Sequence, residues 1–173
     1  NTCRVCGSNV TLVSDFGEIC INDFPKEATN VIGQAPMVLD QCENCDLVQL
    51  RHTVDPKILY GEHYWYESAL NEKLKNNLLD IASYANKLSN PGDTVIDIGA
   101  NDGTLLSGIK NDRYKIGCEP APNLWEKLAG ECDIMIPKMW DHKFIKGQKA
   151  KVITAIGMFY DMDNPNEFIH SVR

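Results

Sequence analysis

With 173 residues, 24 acidic and 17 basic side chains and a formal charge of −7, the chain is sized for one ordinary domain, or a small module plus a partial one. At 43% hydrophobic it can bury a core, which excludes wholesale disorder. The acidic balance argues against a nucleic-acid backbone as the partner, and no run approaches the ~20 apolar residues a membrane span needs.

The first feature along the chain is a pair of C-x2-C motifs, Cys3/Cys6 and Cys42/Cys45. Two such knuckles can place four thiolates tetrahedrally around one ion, and zinc is the default for soft sulfur ligands. Four cysteine ligands leave no open position, so the metal is expected to be structural. Gly7 gives the first knuckle its turn, and Asn44 is read as tolerating left-handed geometry in the second. The alternative is two unrelated pairs, reduced or disulfide-bonded; matched knuckles favour the metal. Cys20, His52 and His63 are substitute ligands at most, and Cys118 and Cys132 read as small core residues. Residues 1–60 hold eight Asp/Glu and four Lys/Arg, a balance unsuited to a phosphate-binding ribbon. Residues 1–56 are thus expected to form a four-cysteine zinc module serving as a lid or substrate platform.

Residues 57–90 are expected to link this module to the next. They hold an aromatic stretch, Tyr64-Trp65-Tyr66, and then a helix capped by Ser68. Leu70, Leu74, Leu78, Ile81, Ala85 and Leu88 would form its apolar face. The aromatic residues read equally well as a plug between modules or as the wall of a ligand pocket.

From residue 91 the text becomes α/β. Thr94–Ile98 is a β-branched strand, Gly99-Ala100-Asn101-Asp102-Gly103 a glycine-bounded turn, and Thr104–Ile109 a helix start. Tyr114–Cys118 is a second strand ending at Glu119, 20 residues after Gly99. A strand, a glycine turn and a helix present a ligand site at the carboxyl edge of a sheet, and an acid at that spacing can accept the ribose hydroxyls of an adenosine ligand. A dinucleotide fingerprint would need closely spaced glycines. Here Asp102 lies inside the turn, where it would repel a pyrophosphate. S-adenosylmethionine carries no phosphate and bears an ammonium, so it suits an acidic turn better. A short helix over 122–130, strands near 133–136 and 151–155, the segment Ile156-Gly157-Met158 and a last helix capped at Asn164-Pro165 complete the reading.

The order of these motifs is recognisable: paired C-x2-C knuckles with C-D-L-V-Q-L, then Y-W-Y-x-S-x-x-N, V-I-D-I-G-A-N-D-G-T-L-L, Glu119-Pro120 and A-I-G-M-F-Y-D-M-D-N-P. The chain resembles the sugar C-methyltransferases of deoxysugar pathways, which join an N-terminal zinc-binding domain to a class I methyltransferase core. The resemblance implies an α/β, Rossmann-like core and a cytoplasmic enzyme dependent on S-adenosylmethionine. It implies cofactor contacts from Tyr66, Ser68, Gly99, Asn101, Asp102, Gly103, Glu119, Pro120, Ile156, Gly157 and Met158, and substrate contacts from Tyr64 and Tyr66. It implies as substrate a nucleotide-linked 4-keto-6-deoxy sugar, methylated on carbon through an enolate. The alternatives are another small-molecule acceptor, or a non-catalytic zinc- and cofactor-binding module. The chain begins at Asn1 and stops at Arg173, after the fourth core strand. Residues 91–173 are therefore expected to be the N-terminal part of the core, with strands five to seven and the catalytic base beyond residue 173. Such a fragment is expected to be inactive alone, with an exposed sheet edge at its fourth strand through which it could self-associate.

Overall fold

The structure, a computed structural model, describes residues 1–21, 33–61 and 64–173. His63 lies outside the described residues. The chain forms two compact units, residues 1–64 with 161–171 and 173, and residues 65–160 with 172.

The first unit is built on an antiparallel sheet in the order β1 (Val10–Cys20), β2 (Gln34–Cys42), β3 (Val48–Leu50). β1 pairs with β2 from Val10↔Cys42 to Cys20↔Gln34, with register shifts between Leu12 and Ser14 and between Asp15 and Glu18. A short helix, α1 (Pro56–Leu59), follows, with Asp55 accepting from the Lys57 N–H at its start. On β2, Asp40 is buried and takes the Arg51 guanidinium on both carboxylate oxygens, which holds its carboxyl below the usual range.

The second unit is a parallel α/β layer. Its sheet runs in the order β6 (Ile134–Ile136), β5 (Tyr114–Cys118), β4 (Thr94–Ile98), β7 (Val152–Thr154). All three pairings are parallel. β4, with a strand on each side, is buried from Val95 to Ile98, the pattern of a strand covered on both faces. This is the α/β, Rossmann-like arrangement that the glycine turn implies.

Helix α2 (Glu72–Leu88) covers the sheet through Leu78, Ala82 and Ala85, with Leu74 and Ile81 packed beside them. The expected cap and stripe need correction. The helix is capped by Asn71, which accepts from the Leu74 N–H at 3.1 Å, while Ser68–Leu70 form a separate 3-10 turn. Leu70 and Leu88, expected on the buried face, are exposed. The helix thus begins about a turn later than expected, and the Ser68 N–H donates to the distant Asn101 side chain. Short helices α3 (Thr104–Ser107) and α4 (Trp125–Ala129) follow β4 and β5. Leu128 of α4 sits so close over β5 that a Cβ on Gly117 would come within 2.6 Å of it. The last helix, α5 (Pro165–Val172), is capped by Asn164 as expected but groups with the first unit. There Asn166 donates to the Val5 carbonyl at 2.8 Å, and Arg4 reaches Met162 O at 3.4 Å.

Candidate metal and cofactor sites

In the first unit Cys3, Cys6, Cys42 and Cys45 bring four sulfurs within 4.8 Å of one another. The contacts Cys3–Cys45, Cys6–Cys42 and Cys6–Cys45 are 3.6, 3.5 and 3.6 Å. A zinc ion with Zn–S near 2.3 Å has tetrahedral edges of about 3.8 Å, whereas a disulfide needs about 2 Å. The donor set therefore fits a closed structural zinc site. Cys20 and His52 are not part of the cluster.

The two knuckles are near-copies in backbone. The Cys3 N–H donates to Ser8 O at 2.8 Å and the Cys42 N–H to Leu47 O at 2.9 Å, each five residues on. Each turn then needs a left-handed residue after its second cysteine: Gly7 at φ 74° and Asp46 at φ 59°. The left-handed residue of the second knuckle is thus Asp46, not Asn44. The Asn44 N–H instead donates to Cys42 Sγ at 3.4 Å, and hydrogen bonds from Ser8 bring the Cys6 thiol down to about 5.

In the second unit the β4–α3 turn lies at the carboxyl ends of the parallel strands, where α/β sheets bind ligands. Three of its residues have positive φ: Gly99 at 72°, Asn101 at 52° and Gly103 at 83°. Most of its backbone donors are used internally. Gly99 and Ala100 N–H both donate to Cys118 O, at 2.8 and 3.0 Å, and Gly103 N–H to Ala100 O. The Asn101 N–H donates to Glu119 Oε2 at 2.9 Å, and the Ala121 N–H to Glu119 Oε1 at 2.8 Å. Glu119 is 4% exposed, and each of its oxygens keeps a second lone pair. Burial raises its carboxyl, opposed by the two N–H bonds. The Trp125 indole N–H donates to the Glu119 carbonyl and fixes the chain just past β5.

The side chains of the turn reach back to residues 66–69. Asn101 Oδ1 accepts the Ser68 N–H at 2.8 Å, and Asn101 Nδ2 donates to Tyr66 O at 3.0 Å. Asp102 Oδ2 accepts the Ala69 N–H at 2.7 Å, while Oδ1 takes the Thr104 N–H and hydroxyl at 3.1 and 2.6 Å. Met158, beyond β7, lies so close to the turn that a Cβ on Gly99 would come within 3.0 Å of its Cγ. Ile156 is exposed, Gly157 has φ 69°, and Pro120 is half-buried. Tyr66 belongs with this unit and meets Trp65 edge-on at 5.7 Å; Tyr64 belongs to the first unit and meets Tyr60 edge-on at 5.5 Å.

Sequence reasoning missed Asp97 and Thr154. Asp97 sits on β4 at 3% exposure and accepts the Thr154 hydroxyl at 2.7 Å across the β4–β7 pairing. Burial pushes its carboxyl up to about 7, the Thr154 hydrogen bond opposes the shift, and the charge of Glu119 adds to it. The signal was available: an acid inside the apolar run V-I-D-I-G is rarely idle. Lys127 of α4, which pairs with Glu67, gave no local signal.

Among the described residues, no helix is long and apolar enough to cross a membrane. Residues 3–60 match the family described as "Putative zinc binding domain". The chain is also similar to the C-methyltransferase NovU of Streptomyces niveus, 28% identical over 135 residues. That alignment covers 70% of this chain and 30% of the relative, so the chain spans less than a third of the relative's length.

Proposed function

With its similarities supporting a sugar C-methyltransferase-like family, we propose that this chain carries the zinc-binding and cofactor-binding parts of an S-adenosylmethionine-dependent methyltransferase. The observation that carries the reading is Glu119. It is a buried carboxylate at the end of β5, held by the amides of Asn101 and Ala121 beside the β4 turn. A carboxylate so fixed suits the paired hydroxyls of a ribose. The turn also spends the amides of Gly99, Ala100, Asn101 and Gly103 on the protein itself, leaving little of the open N–H nest that a pyrophosphate requires. That favours a phosphate-free adenosine cofactor over a dinucleotide.

Gly99, Asn101, Asp102 and Gly103 would border the cofactor, Glu119 and Pro120 its ribose side, and Ile156, Gly157 and Met158 its opposite flank. Tyr66 and Ser68 would close over it. When bound, S-adenosylmethionine supplies an electrophilic methyl group on a sulfonium. The acceptor we propose is a nucleotide-linked 4-keto-6-deoxy sugar, whose ketone acidifies the neighbouring C–H so that a base can form the enolate. Tyr64 and Tyr66 are the proposed sugar contacts, and we propose none of residues 1–173 as the base. A cytoplasmic setting suits a thiolate zinc site, which needs reduced cysteines.

Calorimetric titration of the zinc-loaded chain with S-adenosylhomocysteine tests the cofactor. Binding is expected, and weakened at least tenfold in both Glu119→Gln and Glu119→Ala. Glu119→Ala alone would be ambiguous, because it orphans two buried N–H groups at about 1–3 kcal/mol each. No binding by a folded chain would end the cofactor reading. Methyl transfer to keto-sugar nucleotides by a protein that also holds the base then tests the acceptor.

A further inference from the structure

We propose, building on the cofactor reading above, that Asn101 and Asp102 are positioning residues that latch the Tyr66–Ala69 strap onto the glycine turn, so that strap closure and cofactor binding are coupled. Their side chains are committed. Asn101 spends its carbonyl on the Ser68 N–H and its amide on Tyr66 O; Asp102 spends one oxygen on the Ala69 N–H and the other on Thr104. The partners lie 33 to 35 residues away, so these bonds exist only when the strap is closed.

The strap lies outside the sheet, with Ser68 buried and Ala69 and Leu70 exposed. The ion pair of Glu67 with Lys127 on α4 and the edge-on contact of Tyr66 with Trp65 also hold it. Such polar contacts are individually weak, so the strap can open while the sheet stays folded. Glycine at 101 and 102 would make the turn more like a dinucleotide loop and leave the strap unlatched.

One residue joins the strap to the ligand side. The side chain of Asn101 holds Tyr66 and Ser68, while its backbone N–H holds Glu119 Oε2 at 2.9 Å. A shift of the strap therefore pulls on the residue that orients the ribose acid. By linkage, a ligand that favours the closed arrangement must also lower the population of the open strap.

Amide hydrogen exchange on the zinc-loaded chain tests this, with and without S-adenosylhomocysteine. The Ser68 and Ala69 amides should exchange slowly, and more slowly with ligand. Asn101→Gly keeps the positive φ without strain and deletes both side-chain bonds. It should speed Ser68 exchange by about 30-fold and weaken the ligand at least tenfold, with Ile96 and Ile116 amides unchanged. Asn101→Asp, which also tolerates φ 52°, keeps the acceptor for Ser68 but turns the Tyr66 bond into a repulsion. It should keep Ser68 slow and bind with intermediate affinity, which keeps the test decisive if the glycine variant is unstable. Ligand affinity unchanged in Asn101→Gly, or Ser68 and Ala69 amides indifferent to ligand, overturns the latch and leaves the cofactor reading standing. No ligand binding by the parent chain overturns that reading instead, and the coupling with it.

Discussion

Among its described residues the first unit buries only Val38, Cys3 and Cys42 of its hydrophobic side chains, whereas the second buries a continuous set from Leu78 to Ile136. The first unit is a sheet cross-linked at one end by four thiolates, with polar clasps such as Asp40–Arg51. The second holds itself together by apolar burial, roughly 1.5–3 kcal/mol for each fully buried Leu or Ile. A small unit without a core needs a staple, and the four-cysteine cluster is a donor set that a metal could close into one. The second unit instead uses its core as a platform, and among its buried polar groups Asp97, Asn101, Asp102, Glu119 and Thr154 lie at or near the carboxyl edge of the sheet, with Ser89 and Arg113 at the opposite end.

Metal removal should break this comparison most visibly. Chelation, or Cys42→Ser, is expected to unfold the first unit alone, since a structural zinc contributes on the order of 10 kcal/mol where apolar burial is small. Hydrogen exchange would show loss of protection at Leu39 in β2 with Ile96 and Ile116 retained. Simultaneous loss in both units would mean that their stabilities are not separate.

A smaller effect, confined to the second unit, comes from Asp97. Its folded carboxyl is raised from the ordinary 3.8 to about 7, so the folded state holds the proton more tightly than the unfolded chain. The stability this confers is present below pH ~4 and is lost as pH rises through about 7. Asp97→Asn removes the titration and leaves an oxygen for Thr154. Urea melts of the two proteins should therefore diverge across that window, by about 4 kcal/mol at most. Parallel pH profiles would show that Asp97 does not carry the shift.

The smallest effect concerns the start of α2. Asn71→Ala should cost about 1 kcal/mol by removing the acceptor for the Leu74 N–H, and Ser68→Ala should cost less. The reverse order in urea melts would restore Ser68 as the cap.

Motifs whose meaning is local were legible. Two C-x2-C pairs fold into knuckles because each turn closes its own backbone bonds within five residues. The strand from Thr94 to Ile98, the glycine turn and Glu119 could be placed because β-branched runs, positive-φ glycines and ladder spacing are short-range matters. Ser68 failed as a cap because it opens a separate 3-10 turn and Asn71, three residues on, accepts the Leu74 N–H, and Asn44 failed as the left-handed residue because the turn closes one step after its second cysteine.

By itself, then, the sequence determined the four-cysteine donor set, the parallel α/β character of the second half and the position of Glu119 at the end of β5. Each follows from spacing along the backbone. Only the tertiary structure decided that Asn101 and Asp102 turn toward residues 66–69, that Asp97 is buried against Thr154, and that α5 joins the first unit. Those outcomes depend on which polar groups meet once water is excluded. A residue's neighbours along the chain do not specify its partners through space.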